Sequence, residues 1–144
     1  RMIFPKVTPR LSPSMSEYFL NPKLNLIPID VAVKGLKGNP VFLTMALDTG
    51  ATLTSIPGDA ALSIGCDPTK SRRKIEILTA SGTEYVTIVT VPEFQIWGTT
   101  LKNIDVICLD MPPKSNVSGL LGLNVLKCFD IFLKFSSNTL EVLR

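Results

Sequence analysis

The chain has 144 residues, 45% hydrophobic and 19% charged, the balance of one globular domain and not of a disordered segment. It contains no histidine, which excludes Ser-His-Asp and Cys-His catalysis and His-ligated zinc together. The net charge of +3 is mild, and there is no Gly-rich phosphate loop, no aromatic-interleaved basic stretch and no apolar run of membrane-spanning length.

Three cysteines, Cys66, Cys108 and Cys128, lie far apart, with no Cys-x-x-Cys spacing and an odd count. They read as reduced core residues, not as a disulfide frame or metal site, and so favour a cytoplasmic setting. No metal or cofactor is expected, and any chemistry must come from carboxylates, hydroxyls or lysines. The basic cluster Lys70-Ser71-Arg72-Arg73-Lys74 reads as a solvated loop face, so nucleic acid is not an expected partner. The chain opens at Arg1 with no signal-peptide pattern, as an excised domain of a longer protein would. Membrane attachment is expected only through a segment outside this chain.

Residues 1–23 carry Pro5, Pro9, Pro13 and Pro22 without periodicity and predict a Pro-rich arm or linker, leaving 24–144 as the domain. Leu26 to Val33 alternates in part, Gly35 to Pro40 is a turn, and Val41 to Leu47 is the second arm of a hairpin. Pro57 to Gly65 predicts a short helix, with Pro57 and Asp59 at its start and Gly65 ending it. Ile75–Thr79 and Tyr85–Thr90 flank a hairpin tip at Ala80-Ser81-Gly82-Thr83. A further strand pair, Glu93–Trp97 and Leu101–Leu109, turns at Gly98-Thr99. Gly119-Leu120-Leu121-Gly122 leads into a second helix with Asn124 as its expected N-cap, and a last hairpin turns at Ser136-Ser137-Asn138. Many strands at short spacing predict an all-β, small closed barrel with one or two short helices.

Asp48-Thr49-Gly50-Ala51 stands out against this background. It follows the apolar run Val41 to Leu47 and leads into Thr52-Leu53-Thr54-Ser55-Ile56. A carboxylate leaving water costs several kcal/mol unless paired, so an acid at the end of an apolar strand is a poor choice for stability alone. Asp-Thr-Gly by itself is a common turn tripeptide. Asp30, Asp59, Asp67, Asp105, Asp110 and Asp130 read as caps, turns and surface charges.

The order of parts resembles the retropepsin-like aspartic peptidases over residues 24–144, on the cellular and bacterial side of that family. The parts are an apolar strand, Asp-Thr-Gly-Ala, a hairpin, then Leu-Leu-Gly-x-Asn with a helix after it. The resemblance implies a catalytic role for Asp48 and a loop-locking hydroxyl and turn for Thr49 and Gly50, with Ala51 beside them. It implies a substrate-covering flap at Ala80, Ser81, Gly82 and Thr83, and a supporting element of Leu120, Leu121, Gly122 and Asn124.

Aspartic peptidases need two carboxylates that share a proton, one activating water and the other polarising the scissile carbonyl. At about 3 Å, two ionised groups repel by roughly 5 kcal/mol at an effective dielectric of 20, so one keeps its proton. This chain has a single Asp-Thr-Gly, so the resemblance implies a two-fold homodimer with one Asp48 from each copy. The expected partners are a second copy and a peptide or protein substrate, with apolar residues around the cut. Met15 to Leu20 offers such residues and is a candidate for self-processing.

The chain departs from retroviral members at two places: Thr52 stands where they carry Asp, and Leu123 where they carry Arg. Both partners of one ionic contact are absent together, which implies a different dimer contact. The competing reading of the same fold is a non-catalytic dimerisation or peptide-binding module, and the competing reading of the Ser81-Gly82 hairpin is an ordinary exposed turn.

Overall fold

The structure, a computed structural model, describes residues 15–144. Ten strands, two short helices and a 3-10 turn at Pro68–Lys70 are formed by the described residues. β2 (Pro28–Lys34) and β3 (Val41–Leu47) make the expected hairpin, with Ile29, Val31 and Val33 buried and Asp30 outward.

β4 (Thr54–Ile56) and helix α1 (Gly58–Ser63) follow the Asp48 turn, and β5 (Lys74–Thr79) begins the next hairpin. β6 (Gly82–Ile96) is one strand of 15 residues where the sequence suggested two. Its first half pairs with β5, and its last residues, Glu93 to Ile96, pair with β2. Pro92 sits between these two ladders, where a missing N–H interrupts neither of them. β7 (Thr99–Cys108) returns antiparallel to β6, and β8 (Gly119–Leu121), helix α2 (Leu123–Leu126), β9 (Asp130–Lys134) and β10 (Thr139–Leu143) complete the order.

Hydrogen-bonded neighbours run β2–β3–β8–β4–β7–β6 and back to β2, so six strands close into a barrel. Closure removes open edges from that ring, and β5 extends it on the outside of β6. Val33, Met45, Ile56, Val91, Phe94 and Leu121 fill the interior and are fully buried. β8 pairs parallel with β3 and antiparallel with β4 at Ser55↔Leu120. Two short strands far apart in sequence thereby meet under the Asp48 turn.

β1 (Met15–Phe19), β10 and β9 form a separate three-stranded antiparallel sheet. Met15 to Phe19 falls in the stretch expected to be an arm; pairing with β10 along its whole length makes it a strand despite its lack of periodicity. The rest of the expected arm up to residue 14 lies outside the described residues. Leu140 and Val142 face inward into the main core, and Met15, Phe19 and Phe132 stay exposed on the outer side. Trp97 and Gly98 make the β6–β7 turn with φ of 50° and 70°. That conformation is unfavourable for a bulky residue, and here the indole ring meets Phe129 edge-on at 5.1 Å between centroids.

Candidate active site

β3 carries the chain straight into Asp48, and the turn that follows is built from its own polar groups. The Gly50 N–H donates to Asp48 Oδ1 at 2.9 Å and the Ala51 N–H to the Asp48 carbonyl at 3.2 Å. The Asp48 N–H donates to the Leu121 carbonyl at 3.0 Å, continuing the parallel β3–β8 ladder past its last strand pair. Asp48 is half-buried, less enclosed than its place after an apolar strand suggested, and Thr49 and Gly50 are exposed. The turn is held from below and open above.

The lock beneath it is polar, buried at Thr54, Ser55 and Gly122 and half-buried at Asn124. Thr54, with 0% of its surface exposed, accepts the Gly122 N–H on its hydroxyl at 3.0 Å and donates that hydroxyl to Asn124 Oδ1 at 2.9 Å. The same Oδ1 accepts the Thr54 N–H at 2.9 Å, and Asn124 Nδ2 donates to the Asp105 carbonyl at 2.7 Å. Ser55 Oγ accepts the Leu120 N–H at 3.0 Å. The Leu123 and Asn124 N–H groups reach the Ala51 and Thr52 carbonyls at 2.8 and 3.3 Å. No buried side-chain polar atom among the described residues is left without a partner.

Asn124 is therefore not a helix cap. α2 begins at Leu123 with Gly122 in the cap position and no side-chain cap bond, and the Asn124 amide is spent across the barrel on Thr54 and Asp105. Nor does Thr49 lock the turn within one chain: no hydrogen bond among the described residues uses its hydroxyl, and Thr54 does that work instead. Gly122 is required by proximity. A Cβ there would lie 2.5 Å from the Leu53 carbonyl carbon and 2.8 Å from the Thr54 nitrogen, both backbone atoms. Gly119 is pressed likewise against the Ser55 carbonyl.

The hairpin tip, Ala80 to Thr83, is not joined to this lock. Its hydrogen bonds run within the hairpin, Thr79 Oγ1 donating to the Gly82 carbonyl at 2.8 Å and accepting the Ser81 N–H at 3.3 Å. Gly82 holds φ at 120°, a conformation that side-chain-bearing residues avoid. Leu78 and Tyr85 are 87% and 71% exposed on one face of the hairpin. The other face places Ile75, Ile77 and Val86 in a small apolar cluster with Ile88, Ile107, Leu109 and Leu53, the last from the Asp48 turn's exit. Hairpin and turn share this cluster.

Arg73, from the basic cluster, is not free for an anionic ligand. It grips Asp105 with both guanidinium nitrogens at 2.9 and 2.8 Å, and Thr90 adds its hydroxyl at 2.7 Å. These hydrogen bonds hold the Asp105 carboxyl down at about 2. Burial pushes the half-buried Cys66 and Cys108 thiols up, which makes them poor nucleophiles at neutral pH. Cys128, expected in the core, is exposed just beyond α2. The sequence does not single out Thr54 or Ser55, and Asp105, which reads there as a cap, turn or surface charge, is instead a bidentate partner of Arg73. A hydroxyl pair set between Leu53 and Ile56 is the available signal for the first two.

The "gag-polyprotein putative aspartyl protease" family matches residues 34–128, more than half of the chain and inclusive of the Asp48 turn and its lock. No curated protein sequence matches. Among solved structures, a retropepsin-like aspartic protease from Rickettsia conorii is similar with a TM-score of 0.67 and 23% identity, over 94% of this chain and 96% of that one. The retroviral protease-like domain of Ddi1 from Leishmania major is similar with a TM-score of 0.52 and 15% identity, over 83% of this chain and 94% of that one. Identities this low speak for the fold, and the family match covers the motif-bearing core. The chain belongs to the gag-polyprotein aspartyl protease family and has the retropepsin-like fold.

Proposed function

We propose that the chain is an aspartic endopeptidase that works as a two-fold homodimer, with one Asp48 from each copy sharing a proton around a bound water. The observation that carries this proposal is the form of the Asp48 turn, rigidly held below and open above. A carboxylate fixed by backbone bonds is what water activation requires, and an open turn leaves room for the second copy's carboxylate beside it. The exposed, unengaged Thr49 hydroxyl supports the same arrangement. Thr52 and Leu123 sit on the two backbone segments joined by the Leu123 N–H to Ala51 and Asn124 N–H to Thr52 hydrogen bonds, and neither carries a charge for an ionic contact.

In this mechanism the ionised carboxyl of the pair takes a proton from water as the water attacks the peptide carbonyl. The protonated carboxyl donates its proton to the carbonyl oxygen to give a gem-diol. The carboxyl that took the water proton then gives it to the amide nitrogen as the C–N bond breaks. A gem-diol hydroxyl returns a proton to the other carboxylate, restoring the singly protonated pair. The rate should be bell-shaped in pH with an acidic optimum, since the doubly protonated pair has no base and the doubly charged pair no acid. The β5–β6 hairpin acts as a flap over an extended substrate with apolar side chains beside the Leu53–Ile77 cluster. Self-processing at Met15 to Leu20 precedes the docking of β1 on β10, because a peptidase takes its substrate as a free extended strand.

The test is cleavage of a mixed peptide library below pH 7 by the wild type and by Asp48→Asn. The isosteric amide should abolish cleavage and leave the fold intact. Cleavage by Asp48→Asn near the wild-type rate would move catalysis elsewhere, and a wild type that binds peptides without cutting them would favour the binding module.

A further inference from the structure

We propose that Arg73 and Asp105 are positioning residues, a clamp that sets the β5–β6 hairpin against the Asp48 turn. The proposal rests on the aspartic peptidase reading above, and its geometry is independent of it. Arg73 is the residue immediately before β5, and its carbonyl accepts the Ile88 N–H at 2.8 Å, so it closes the base of the hairpin. Its guanidinium meets Asp105 as a two-pronged fork. Thr90, directly opposite Asp105 in the β6–β7 ladder, donates to Asp105 Oδ1 and accepts from Arg73 Nη1 at 3.2 Å.

Asp105 has a second role through its backbone. Its carbonyl accepts Asn124 Nδ2, and Asn124 in turn holds Thr54 and, through it, Gly122. One residue of β7 thus anchors the hairpin with its side chain and the lock under Asp48 with its main chain. A lone surface ion pair contributes little, but a bidentate fork with a third partner fixes direction as well as distance. The Asp105 carboxyl is held down at about 2 by the Arg73 and Thr90 hydrogen bonds, so the clamp keeps its charge in mildly acidic solution and loses it only as pH falls towards 2. Hairpin and turn then meet in register at the Leu53, Ile75 and Ile77 cluster.

Asp105→Asn removes the charge and leaves the backbone carbonyl that holds Asn124. Arg73→Lys keeps a charge without the fork and provides a milder second variant. Amide hydrogen exchange over residues 74–88 should quicken about tenfold in Asp105→Asn and less in Arg73→Lys, with protection at Thr54 and Gly122 unchanged. KM for an apolar peptide should rise about tenfold in Asp105→Asn while kcat changes less than twofold. Unchanged exchange in the hairpin would overturn the proposal. So would exchange that quickens evenly over the whole barrel, because the pair would then be ordinary surface stabilisation. If the wild type cleaves nothing, the peptidase reading falls and the exchange measurement still decides the clamp.

Discussion

The Asp48 turn and the β5–β6 hairpin border the same apolar cluster and are held in opposite ways. Beneath the turn, Thr54, Ser55, Gly122 and Asn124 are joined by hydrogen bonds that are buried or half-buried. The hairpin bonds only to itself at its tip, exposes Leu78 and Tyr85, and is tied at its base by Arg73. The fold concentrates buried hydrogen bonds under the carboxylate and holds the hairpin by its base and by one apolar face. A buried polar network is costly to break because each lost partner strands another group. An exposed hairpin can change its side chains cheaply.

Substitutions should separate the two regions by size of effect. Gly122→Ala drives a Cβ into Leu53 and Thr54 backbone atoms that cannot step aside, and should cost about 3 kcal/mol of stability in denaturant unfolding. Asn124→Ala strands the Thr54 hydroxyl and N–H and the Asp105 carbonyl, and should also cost about 3 kcal/mol. Thr54→Val keeps the volume and loses the hydroxyl, for about 2 kcal/mol, read in the same experiment. If any of these three proves neutral, the lock is not what holds the turn.

On the hairpin side, Gly82→Val forces a β-branched side chain into φ of 120° and should cost about 1 kcal/mol while lowering the peptide cleavage rate by stiffening the tip. An unaffected rate would return the hairpin to an ordinary turn. The smallest effect belongs to acid. Asp105 is depressed to about 2, so the stability its pairing contributes is complete above the ordinary carboxylate range and fades as pH falls from about 4 towards 2. Thermal melts should show that slope in the wild type and a shallower one in Asp105→Asn.

What was legible in the sequence divides along the same line. The β2–β3 hairpin, α1 and the C-terminal hairpin follow from alternation, caps and turn residues, and the Asp48 motif announces itself by contrast with its apolar flanks. The lock was only half legible. Leu120 to Gly122 could be picked out, but three-residue strands such as β4 and β8 have no period of their own. Their pairing at Ser55↔Leu120 spans 65 residues of sequence, and only the closed barrel creates it. Asn124 differs from its expected cap role for the same reason, since beside a helix start an Asn side chain looks like a cap until its tertiary partners, Thr54 and Asp105, are present. β1 was hidden because its inward and outward residues, Ser16 and Tyr18 against Met15 and Phe19, carry no polarity contrast.

The shared site is the central claim, and subunit mixing tests it most directly. Wild type and Asp48→Asn are combined in equal amounts, allowed to exchange subunits, and assayed for peptide cleavage at constant total protein. If each active centre needs one Asp48 from each copy, only pairs of wild-type subunits cut, and the rate should fall to about one quarter of the all-wild-type value. A rate that stays at about one half, linear in the wild-type fraction, would mean that each chain cuts alone and would contradict the shared pair.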